Sequence, residues 1–210
     1  MTKRNKYQKP NPYDFYQGKV AKSYEDERRN KKTWQKENQI VEYYLDKIVD
    51  IDNVLDIPFG TGRFVPLYIR KNLEIHGVEI SGDMINTSRE ILKDDFLKCN
   101  VIIGNSVSLP YKDDYFDILI CTRFLTAILT FGDVNLSLKE FSRVTKKYFL
   151  LEIGHREDKA PRLRTPSEDE KMGYWFYPDE IQEMLKEKNI EPIDCKSVLQ
   201  DLYIYLCRKI

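Results

Sequence analysis

The residues best suited to chemistry lie where a short apolar run, 54–57, turns into a predicted helix through Gly60 and Gly62. Glycine has no Cβ atom, so a ligand can approach the backbone of such a turn closely. The helix that follows offers unpaired N–H groups and the positive end of its dipole to an anionic group. The turn therefore predicts a binding site, although a Gly-x-Gly turn alone is a weak signal and the third glycine of the dinucleotide fingerprint is lacking.

Polar residues also follow the next two predicted strands. The segment 75–80 reads as a strand and places Glu79 near its carboxyl end, 23 positions after Asp56. A carboxylate at that edge can accept hydrogen bonds from both hydroxyl groups of a ribose; an ordinary exposed charge is the alternative. After the third strand, the turn that contains Asn105 and Ser106 can lay a polar side chain beside an adenine, or it can be a plain connecting loop.

The elements that position these residues alternate between helix and strand from about residue 34, which predicts parallel βαβ units. The predicted strands are 54–57, 75–80, 101–103, 116–121, 148–153 and 202–207. The predicted helices are 34–49, 63–71, 83–96, 133–145, with Asp133 as its N-cap, and 178–188. The last strand alternates its side chains with a period of two, which is typical of an antiparallel strand at or near a sheet edge.

Two segments do not fit this alternation. Residues 1–33 are rich in Tyr, Lys and Arg, and residues 1–40 carry eleven basic against five acidic side chains, a net charge of +6. Such a basic segment can meet an anionic substrate or a nucleic acid, but a solvated helix face is its commoner meaning. Residues 154–177 form a long polar stretch, and because it follows a strand at the ligand-binding edge we expect it to form part of a substrate wall.

The composition excludes several classes of protein. The chain has 210 residues, 34 basic and 34 acidic, with 41% hydrophobic and 32% charged side chains. These values are those of one folded domain, neither disordered nor membrane-spanning. No secretory signal precedes the domain, so a cytoplasmic location is expected. The four cysteines are scattered and predict neither a zinc site nor a disulfide framework.

Taken together, the three site motifs resemble those of the class I S-adenosylmethionine-dependent methyltransferases, in particular the methyltransferase type 11 group. The likeness runs in register over residues 38–153: the loop Asp56-Ile57-Pro58-Phe59-Gly60-Thr61-Gly62, the strand end Val78-Glu79-Ile80-Ser81, and the stretch from Gly104 through Leu109-Pro110 to Phe116-Asp117. It implies a Rossmann-like α/β fold, with a doubly wound seven-stranded sheet that is mostly parallel and ends in an antiparallel strand. It also implies S-adenosylmethionine as cofactor, a binding domain over 34–210 and a lid over 1–33.

By this resemblance, Asp56 lies near the methionyl amino group, Glu79 binds the ribose, and Met84 packs against the adenine. The full set of cofactor-binding residues that it implies is Tyr24, Asp56, Pro58, Gly60, Thr61, Gly62, Glu79, Ile80, Met84, Asn105 and Ser106. Two positions depart from the family pattern. Pro58 replaces a glycine and so has no amide hydrogen to offer the cofactor, and Asn105 replaces an aspartate beside the adenine amine, which removes a charge.

Methyl transfer from a sulfonium is an in-line displacement, so the enzyme contributes mainly by orienting the acceptor and excluding water. A base is needed only if the acceptor is protonated. His155, directly after the fifth predicted strand, is the candidate base; a solvated loop histidine is the alternative. Arg123, after the fourth strand, can bind an anionic group of the substrate or sit in a surface ion pair. His76 is expected to be structural.

The sequence leaves the acceptor open among three hypotheses. The first is O- or N-methylation of a small molecule, the second is an RNA- or protein-directed methyltransferase guided by the basic N-terminus, and the third is a cofactor-binding protein with regulatory or other non-transfer chemistry. Nucleic acid is possible but not favoured: Asn11-Pro12-Tyr13 is a poor match to the signature of enzymes that methylate exocyclic base amines, and no Pro-Cys nucleophile is present. No membrane partner is expected, and the oligomeric state stays open.

Overall fold

The computed structural model describes residues 16–155 and 176–210, which are built around one seven-stranded sheet. Its strands are β1 (Asn53–Asp56), β2 (Glu74–Glu79), β3 (Cys99–Ile103), β4 (Phe116–Cys121), β5 (Thr145–Gly154), β6 (Ile190–Leu199) and β7 (Leu202–Lys209). They lie in the order β3-β2-β1-β4-β5-β7-β6. The first five strands are parallel, and β7 is antiparallel to both β5 and β6. The predicted fold class is confirmed.

Two helices precede β1, and the others lie in the connections between strands. The helices are α1 (Gly18–Ser23), α2 (Lys32–Lys47), α3 (Val65–Arg70), α4 (Gly82–Leu92), α5 (Phe131–Val144) and α6 (Pro178–Lys186), with a 3₁₀ helix over Lys93–Lys98. Both faces of the sheet are covered. Along β4, Leu119 packs into the core that includes α5 and α6, whereas Ile118 and Ile120 pack into the core that includes α2 and α3. Burial of both faces explains why β4 reads as a continuous apolar run.

The observed elements depart from the predicted ones mainly at their ends. The helix predicted over 133–145 begins at Phe131, because the Thr130 hydroxyl accepts the Asp133 N–H at 3.2 Å and is therefore the N-cap. The sequence analysis did not locate β6. Its ladder with β7 is irregular near Pro192 and again near Ser197, and many of its residues are exposed. Irregularity and proline suit an edge strand, and β6, rather than β7, lies at the edge of the sheet.

The described part of the predicted lid is fastened to the end of β2. The Gly18 N–H donates to the Asp83 carboxylate at 2.7 Å, and the Ser81 hydroxyl donates to the Tyr16 carbonyl. These contacts place α1 over the carboxyl edge of the sheet. Residues 1–15, which include Asn11-Pro12-Tyr13, and residues 156–175 of the predicted substrate-side loop lie outside the described residues.

Three further features concern membrane-spanning helices, metal sites and disulfides. Within the described ranges, no helix combines the length and apolar character needed to cross a bilayer. The same residues contain no cluster of His, Cys, Asp and Glu arranged to hold a metal ion. All four cysteines are present as thiols, two of them buried.

Candidate functional site

A cavity of about 660 Å³ opens at the carboxyl edge of β1, β2 and β4, where the sheet order reverses on either side of β1. This is the place at which open α/β sheets bind ligands. The residues that line the cavity are Tyr16, Tyr24, Trp34, Asp56, Pro58, Phe59, Gly60, Thr61, Arg63, Phe64, Glu79, Ile80, Met84, Thr122, Arg123, Phe124 and Ile128.

The turn after β1 is held against β2 by its backbone. The Phe59 N–H donates to the Val78 carbonyl at 2.9 Å, and the Gly62 N–H donates back to the Phe59 carbonyl at 2.9 Å. Gly60 and Gly62 have φ angles of +58° and +71°, in the left-handed region that glycine adopts without a steric penalty. The turn therefore has a fixed shape and presents the backbone around Gly60 to the cavity.

The Phe59 ring packs against Gly77 of the neighbouring strand β2. A Cβ atom added to Gly77 would lie 2.3 Å from the Phe59 ring, closer than atoms can approach. Gly77 thus leaves the space that the ring occupies, and the ring in turn supports the turn from below. This pair was not predicted, because nothing in a strand pattern indicates that a glycine packs against a distant aromatic ring.

Glu79 joins the two motifs. Its Oε2 accepts the Gly60 N–H at 2.9 Å, and its Oε1 accepts the Ser81 N–H at 3.0 Å. The side chain is 4% exposed, and burial raises the pKa of the carboxyl despite these backbone donors. A carboxylate oxygen has two lone pairs, so each oxygen keeps one acceptor position while it fixes the turn and the start of α4.

Asp56 is buried at the carboxyl end of β1, at the floor of the cavity. Burial raises the pKa of this carboxyl to about 8, and the nearby Glu79 acts in the same direction, whereas Tyr68 and the Arg63 guanidinium lower it. Burial outweighs the nearby Arg63 guanidinium, so this acid favours its neutral form. A ligand that carries an ammonium group would supply a further cation, so Asp56 is suited to bind one.

The opposite wall of the cavity comes from the N-terminal part of the described chain and is aromatic. The Tyr24 ring lies edge-on to Tyr16 and to Trp34, with ring centroids 5.7 and 6.1 Å apart. Burial raises the pKa of the Tyr24 phenol, which stays protonated. This wall is made of three aromatic rings packed edge to face.

An ion-pair network closes the cavity between that wall and β4. Glu37, on α2, is fully buried; its Oε2 accepts from Arg63 Nη1 at 2.7 Å and from Arg123 Nε at 2.8 Å, and its Oε1 lies 2.7 Å from Arg123 Nη2. Arg63 also donates to the Thr122 hydroxyl at 2.9 Å. Glu37 was not among the predicted site residues. Its position on the buried stripe of the predicted helix, three residues after Trp34, was the signal that could have found it.

Arg123 follows β4 in the left-handed conformation, with φ at +55°. This backbone is unfavourable for residues with a Cβ atom, and the Arg123 N–H is held by Glu152 Oε1 at 3.3 Å. Glu152 itself is buried at the end of β5, where burial and the neighbouring Glu37 raise the pKa of its carboxyl to about 8. The arrangement aims the Arg123 side chain along the cavity wall.

The structure brings most of the predicted cofactor-binding residues together around this cavity. Those that line it are Tyr24, Asp56, Pro58, Gly60, Thr61, Glu79, Ile80 and Met84, and the predicted catalytic residue Arg123 lines it as well. Five further residues that line the cavity were not predicted to have a site role: Arg63, Phe64, Thr122, Phe124 and Ile128. These are neighbours of the motif residues in sequence, and only the folded chain shows which of them face the ligand.

Three predicted cofactor residues do not line the cavity. Gly62 completes the turn behind Gly60. Asn105 is exposed, and its side-chain oxygen accepts the Val107 N–H at 3.2 Å in a local turn. Ser106 is buried, with its hydroxyl 2.8 Å from that of Ser137. These residues shape the connection after β3, and their contact with a cofactor stays a prediction.

The predicted base, His155, lies at the end of β5 but is not among the residues that line the cavity. It is buried rather than solvated: its ring stacks on Tyr203 with centroids 3.9 Å apart, and its Nδ1 lies 2.7 Å from the Tyr205 hydroxyl. Its backbone bridges to Phe176, at the far end of the undescribed segment 156–175. A catalytic role for this histidine stays a prediction.

The residues present fit a long ligand with three kinds of group. Asp56 suits an ammonium, the spare acceptor positions of Glu79 suit the two hydroxyls of a ribose, and Met84 and Ile80 suit a flat apolar ring. An adenosyl amino acid carries these groups in that order. A cavity with these donors and acceptors can therefore hold S-adenosylmethionine.

Comparisons with known proteins agree with this assignment. The model of a methyltransferase domain family matches residues 54–148. An uncharacterised methyltransferase of Schizosaccharomyces pombe is 29% identical over 123 residues, which is 54% of this chain and 43% of that protein. A ubiquinone/menaquinone biosynthesis C-methyltransferase, UbiE, of Chromobacterium violaceum is 34% identical over 108 residues, 49% of this chain and 43% of that protein. The chain thus matches less than half the length of these curated relatives.

The fold extends the likeness beyond the matched sequence. The crystal structure of magnesium protoporphyrin IX methyltransferase from Synechocystis PCC 6803, with bound S-adenosylhomocysteine, superposes with a TM-score of 0.71 at 12% identity, covering 94% of this chain and 98% of that one. At this identity the likeness shows the fold alone. Over residues 54–148 the chain is therefore similar to a methyltransferase domain, and its fold is that of the S-adenosylmethionine-dependent methyltransferases.

Proposed function

We propose that the protein transfers a methyl group from S-adenosylmethionine to an oxygen or nitrogen atom of a small-molecule acceptor. The observation that carries this proposal is one cavity lined by two groups of residues. We call Asp56, the Gly60 turn and Glu79 the cofactor end, because Glu79 accepts the Gly60 N–H, and we call Trp34, Phe124 and the side chain of Arg123 the acceptor end, because the Arg123 guanidinium lies against the Trp34 ring. A cofactor at the first end would have its reactive centre facing the second.

The chain's own residues orient and shield the reaction. Bound S-adenosylmethionine supplies a methyl group on a sulfonium, which is already activated toward an in-line nucleophile. Tyr16, Tyr24 and Trp34 exclude water from the wall opposite the turn, and Phe124 and Ile128 bound the side nearest β4. Holding an acceptor in line within such a water-poor space is worth a large part of the rate enhancement.

The lining of the acceptor end supports a small molecule. Aromatic side chains, among them Tyr24 and Trp34, line it together with Arg63 and Arg123, which Glu37 holds in ion pairs. A flat, compact acceptor fits between these walls. One matched relative is named as a carbon methyltransferase, so the atom that receives the methyl group is the part of this proposal that an assay must decide.

Two residues carry the proposed acceptor chemistry. Arg123 contacts the acceptor from the end of β4, and His155 accepts a proton if the acceptor must lose one. The test of the second role is the dependence of kcat on pH. We expect His155→Gln to lower kcat by about 10²-fold, the lower range for general base catalysis, and to remove the limb of the profile that belongs to the histidine. An unchanged profile would exclude His155 as the base.

The cofactor part of the proposal is tested by calorimetry with S-adenosylmethionine and S-adenosylhomocysteine. We expect the wild-type protein to bind both, and Glu79→Ala to weaken both at least 100-fold, because it removes the ribose acceptor and releases the turn at Gly60. Glu74→Ala is the matched control, since Glu74 is an exposed acid on the same strand. Binding that is absent in the wild type, or equal in Glu79→Ala, would refute the assignment.

The acceptor is tested by incubating the protein with isotopically labelled S-adenosylmethionine and separate pools of metabolites, RNA and protein. We expect label in the metabolite pool, and its near loss in Glu79→Ala. Label confined to RNA or protein would replace the small-molecule proposal. Tight cofactor binding with no S-adenosylhomocysteine formed from any pool would indicate a protein without transfer activity.

A further inference from the structure

We propose that the methyl acceptor is an acid: it carries a carboxylate or a similar oxyanion, which binds the outer edge of the Arg123 guanidinium. This inference rests on the proposed function and names the class of acceptor for the same cavity. The two arginines of the site differ in how many of their hydrogen-bond donors are already bonded within the protein.

Arg63 and Arg123 share one counter-ion but are not equivalent. Arg63 uses Nη1 on Glu37 and Nη2 on Thr122, and its side chain is 8% exposed. Arg123 uses Nε and Nη2 on Glu37, and its side chain is 25% exposed. Its Nη1 makes no hydrogen bond to any residue in 16–155 or 176–210. A guanidinium presents five N–H groups in a fixed fork, so Arg123 keeps a pair of donors beside the cavity.

The backbone and Glu37 hold this edge in place. The left-handed conformation of Arg123 is maintained by the hydrogen bond from its N–H to Glu152. On the side-chain end, Glu37 binds Nε and Nη2 together, and the Trp34 ring lies 5.3 Å from the guanidinium carbon. A group fixed at both ends loses little entropy when it binds a ligand, which is the condition for a specific site.

The charge around this edge favours an anion. Two guanidiniums, those of Arg63 and Arg123, face one buried carboxylate, Glu37. Burial and Glu37 raise the pKa of the second buried acid, Glu152, which favours its neutral form, so the two cations outnumber the carboxylate that they bind. In a cavity with apolar walls, such a charge attracts anions and rejects cations.

The remaining wall sets the shape of the acid. Phe124 directly follows Arg123, and both Phe124 and Ile128 line the cavity. The aromatic rings of Trp34 and Tyr24 line the same cavity. An acceptor with a flat apolar body and an acidic group at one end would place its body between these rings and its oxyanion on Arg123.

The test uses the full-length protein saturated with S-adenosylhomocysteine, so that the methionyl end of the cavity is filled. The probes are benzoate, 2-naphthoate and indole-3-carboxylate, each compared with its own amide by calorimetry. Acid and amide have the same size and flat shape and differ in charge. We expect at least one acid to bind the wild type about tenfold or more tightly than its amide.

Three variants test whether Arg123 is the residue that makes the acid bind more tightly than its amide. Arg123→Gln should bring the acid-to-amide ratio close to one, and Arg123→Lys, which keeps the charge but loses the fork, should retain part of it. Arg70→Gln is the matched control: it removes one arginine from an exposed ion pair with Glu42 and should leave the ratio unchanged. Binding of S-adenosylhomocysteine by Arg123→Gln shows that this variant is folded.

The outcomes separate this inference from the proposed function. If S-adenosylhomocysteine does not bind the wild type, the proposed function fails and the inference with it. If it binds and no acid is preferred over its amide, the acidic acceptor is refuted while the cofactor assignment stands. A preference that survives Arg123→Gln refutes the role of Arg123. The comparison of each acid with its amide is made on the wild-type protein. It can therefore refute the inference even if Arg123→Gln folds poorly.

Discussion

The two ends of the cavity are built in different ways. At the cofactor end, the Gly60 turn is fixed by backbone hydrogen bonds and by Glu79, all within elements that follow one another in the chain. At the acceptor end, Glu37, Arg63 and Arg123 come from three separate elements and meet through side chains. The first end is a local structure that recurs with its motif, whereas the second exists only once the whole domain has folded.

This difference predicts where substitutions act. At the cofactor end, a change of backbone shape or of one carboxylate should alter ligand affinity directly. At the acceptor end, a change in the buried network should first cost stability, because charges that neutralise one another are held away from water. The following variants test this distinction.

The largest effect on stability is expected for Glu37→Gln. Glu37 is fully buried and is the shared counter-ion of Arg63 and Arg123, so its loss leaves two guanidiniums without their carboxylate. Breaking a buried pair in this way costs about 3–5 kcal/mol. Urea unfolding measures the change in the free energy of unfolding.

The control for this experiment lies on the same helix. Glu42 pairs with Arg70 at 2.6 Å, but both side chains are about half exposed, and an exposed pair contributes about 0–1 kcal/mol. Glu42→Gln should therefore change stability by less than about 1 kcal/mol. Equal losses in the two variants would show that α2 tolerates no change of charge, and the network would have no special role.

The second effect, at the cofactor end, is that of Gly77→Ala. The added Cβ would lie 2.3 Å from the Phe59 ring, and overpacking of this kind typically costs about 1–3 kcal/mol. Because Phe59 supports the Gly60 turn, we also expect the affinity for S-adenosylhomocysteine to fall at least tenfold. Calorimetry and urea unfolding measure the two quantities.

Gly82→Ala is the matched control for Gly77→Ala. A Cβ at Gly82 would meet only Ile103, at an ordinary distance of 3.9 Å. We expect its affinity for S-adenosylhomocysteine to stay within twofold of the wild type. If Gly77→Ala binds as well as Gly82→Ala, the ring of Phe59 can move without disturbing the turn, and the support that we assign to it is wrong.

The same contrast explains what the sequence could and could not predict. The order of strands and the positions of Asp56, Gly60 and Glu79 follow from hydrophobic patterns and from a motif in which the residues are close in sequence. Glu37 could not be found in that way, because its partners lie 26 and 86 positions along the chain. A polar residue on a buried helix face signals only that some partner exists.

The connection after β3 shows a different limit of sequence reasoning. Asn105 was predicted from the family pattern to lie beside the adenine and Ser106 to bind the cofactor; in the structure Asn105 accepts the Val107 N–H and the Ser106 hydroxyl pairs with Ser137, and both predictions stay open. Both residue types form local turns and buried hydroxyl pairs as readily as they bind ligands. The β6 strand was missed for a related reason, since an irregular edge strand with a proline and exposed positions lacks a clear period.

The third prediction concerns the pH dependence of the cofactor end. The pKa of Asp56 is about 8 in the folded protein and about 3.9 in an unfolded chain. Between these values the folded state holds a proton that the unfolded state has lost, so stability falls as the pH rises from about 4 to about 8. The contribution of Asp56 to this slope is at most about 1.4 kcal/mol per pH unit.

Asp56→Asn removes this contribution. Tyr68, Arg63 and Glu79 face the same position and remain in the variant. We expect the Tm of the wild type to fall more steeply than that of Asp56→Asn between pH 5 and 8. We also expect the affinity of the wild type for S-adenosylmethionine to rise over this range, because the ligand ammonium requires an ionised Asp56. Parallel Tm curves for the two proteins would contradict the raised pKa.

The smallest effect is expected at the end of β5, away from the cavity lining. Tyr205→Phe removes the hydroxyl that lies 2.7 Å from His155 Nδ1, while the stacking of His155 on Tyr203 is retained. The loss of one buried hydrogen bond costs about 1 kcal/mol. The affinity for S-adenosylhomocysteine should stay within twofold of the wild type, because neither His155 nor Tyr205 lines the cavity.

Tyr203→Phe is the control for Tyr205→Phe. The Tyr203 hydroxyl donates to the Gln200 carbonyl, 3.0 Å away, at an exposed position. An exposed hydrogen bond exchanges readily with water, so this variant should lose less stability than Tyr205→Phe. A large drop in cofactor affinity for either variant would mean that the end of β5 and the cofactor end are coupled. In that case the cofactor end would depend on residues outside its own motif, and its description as a local structure would fail.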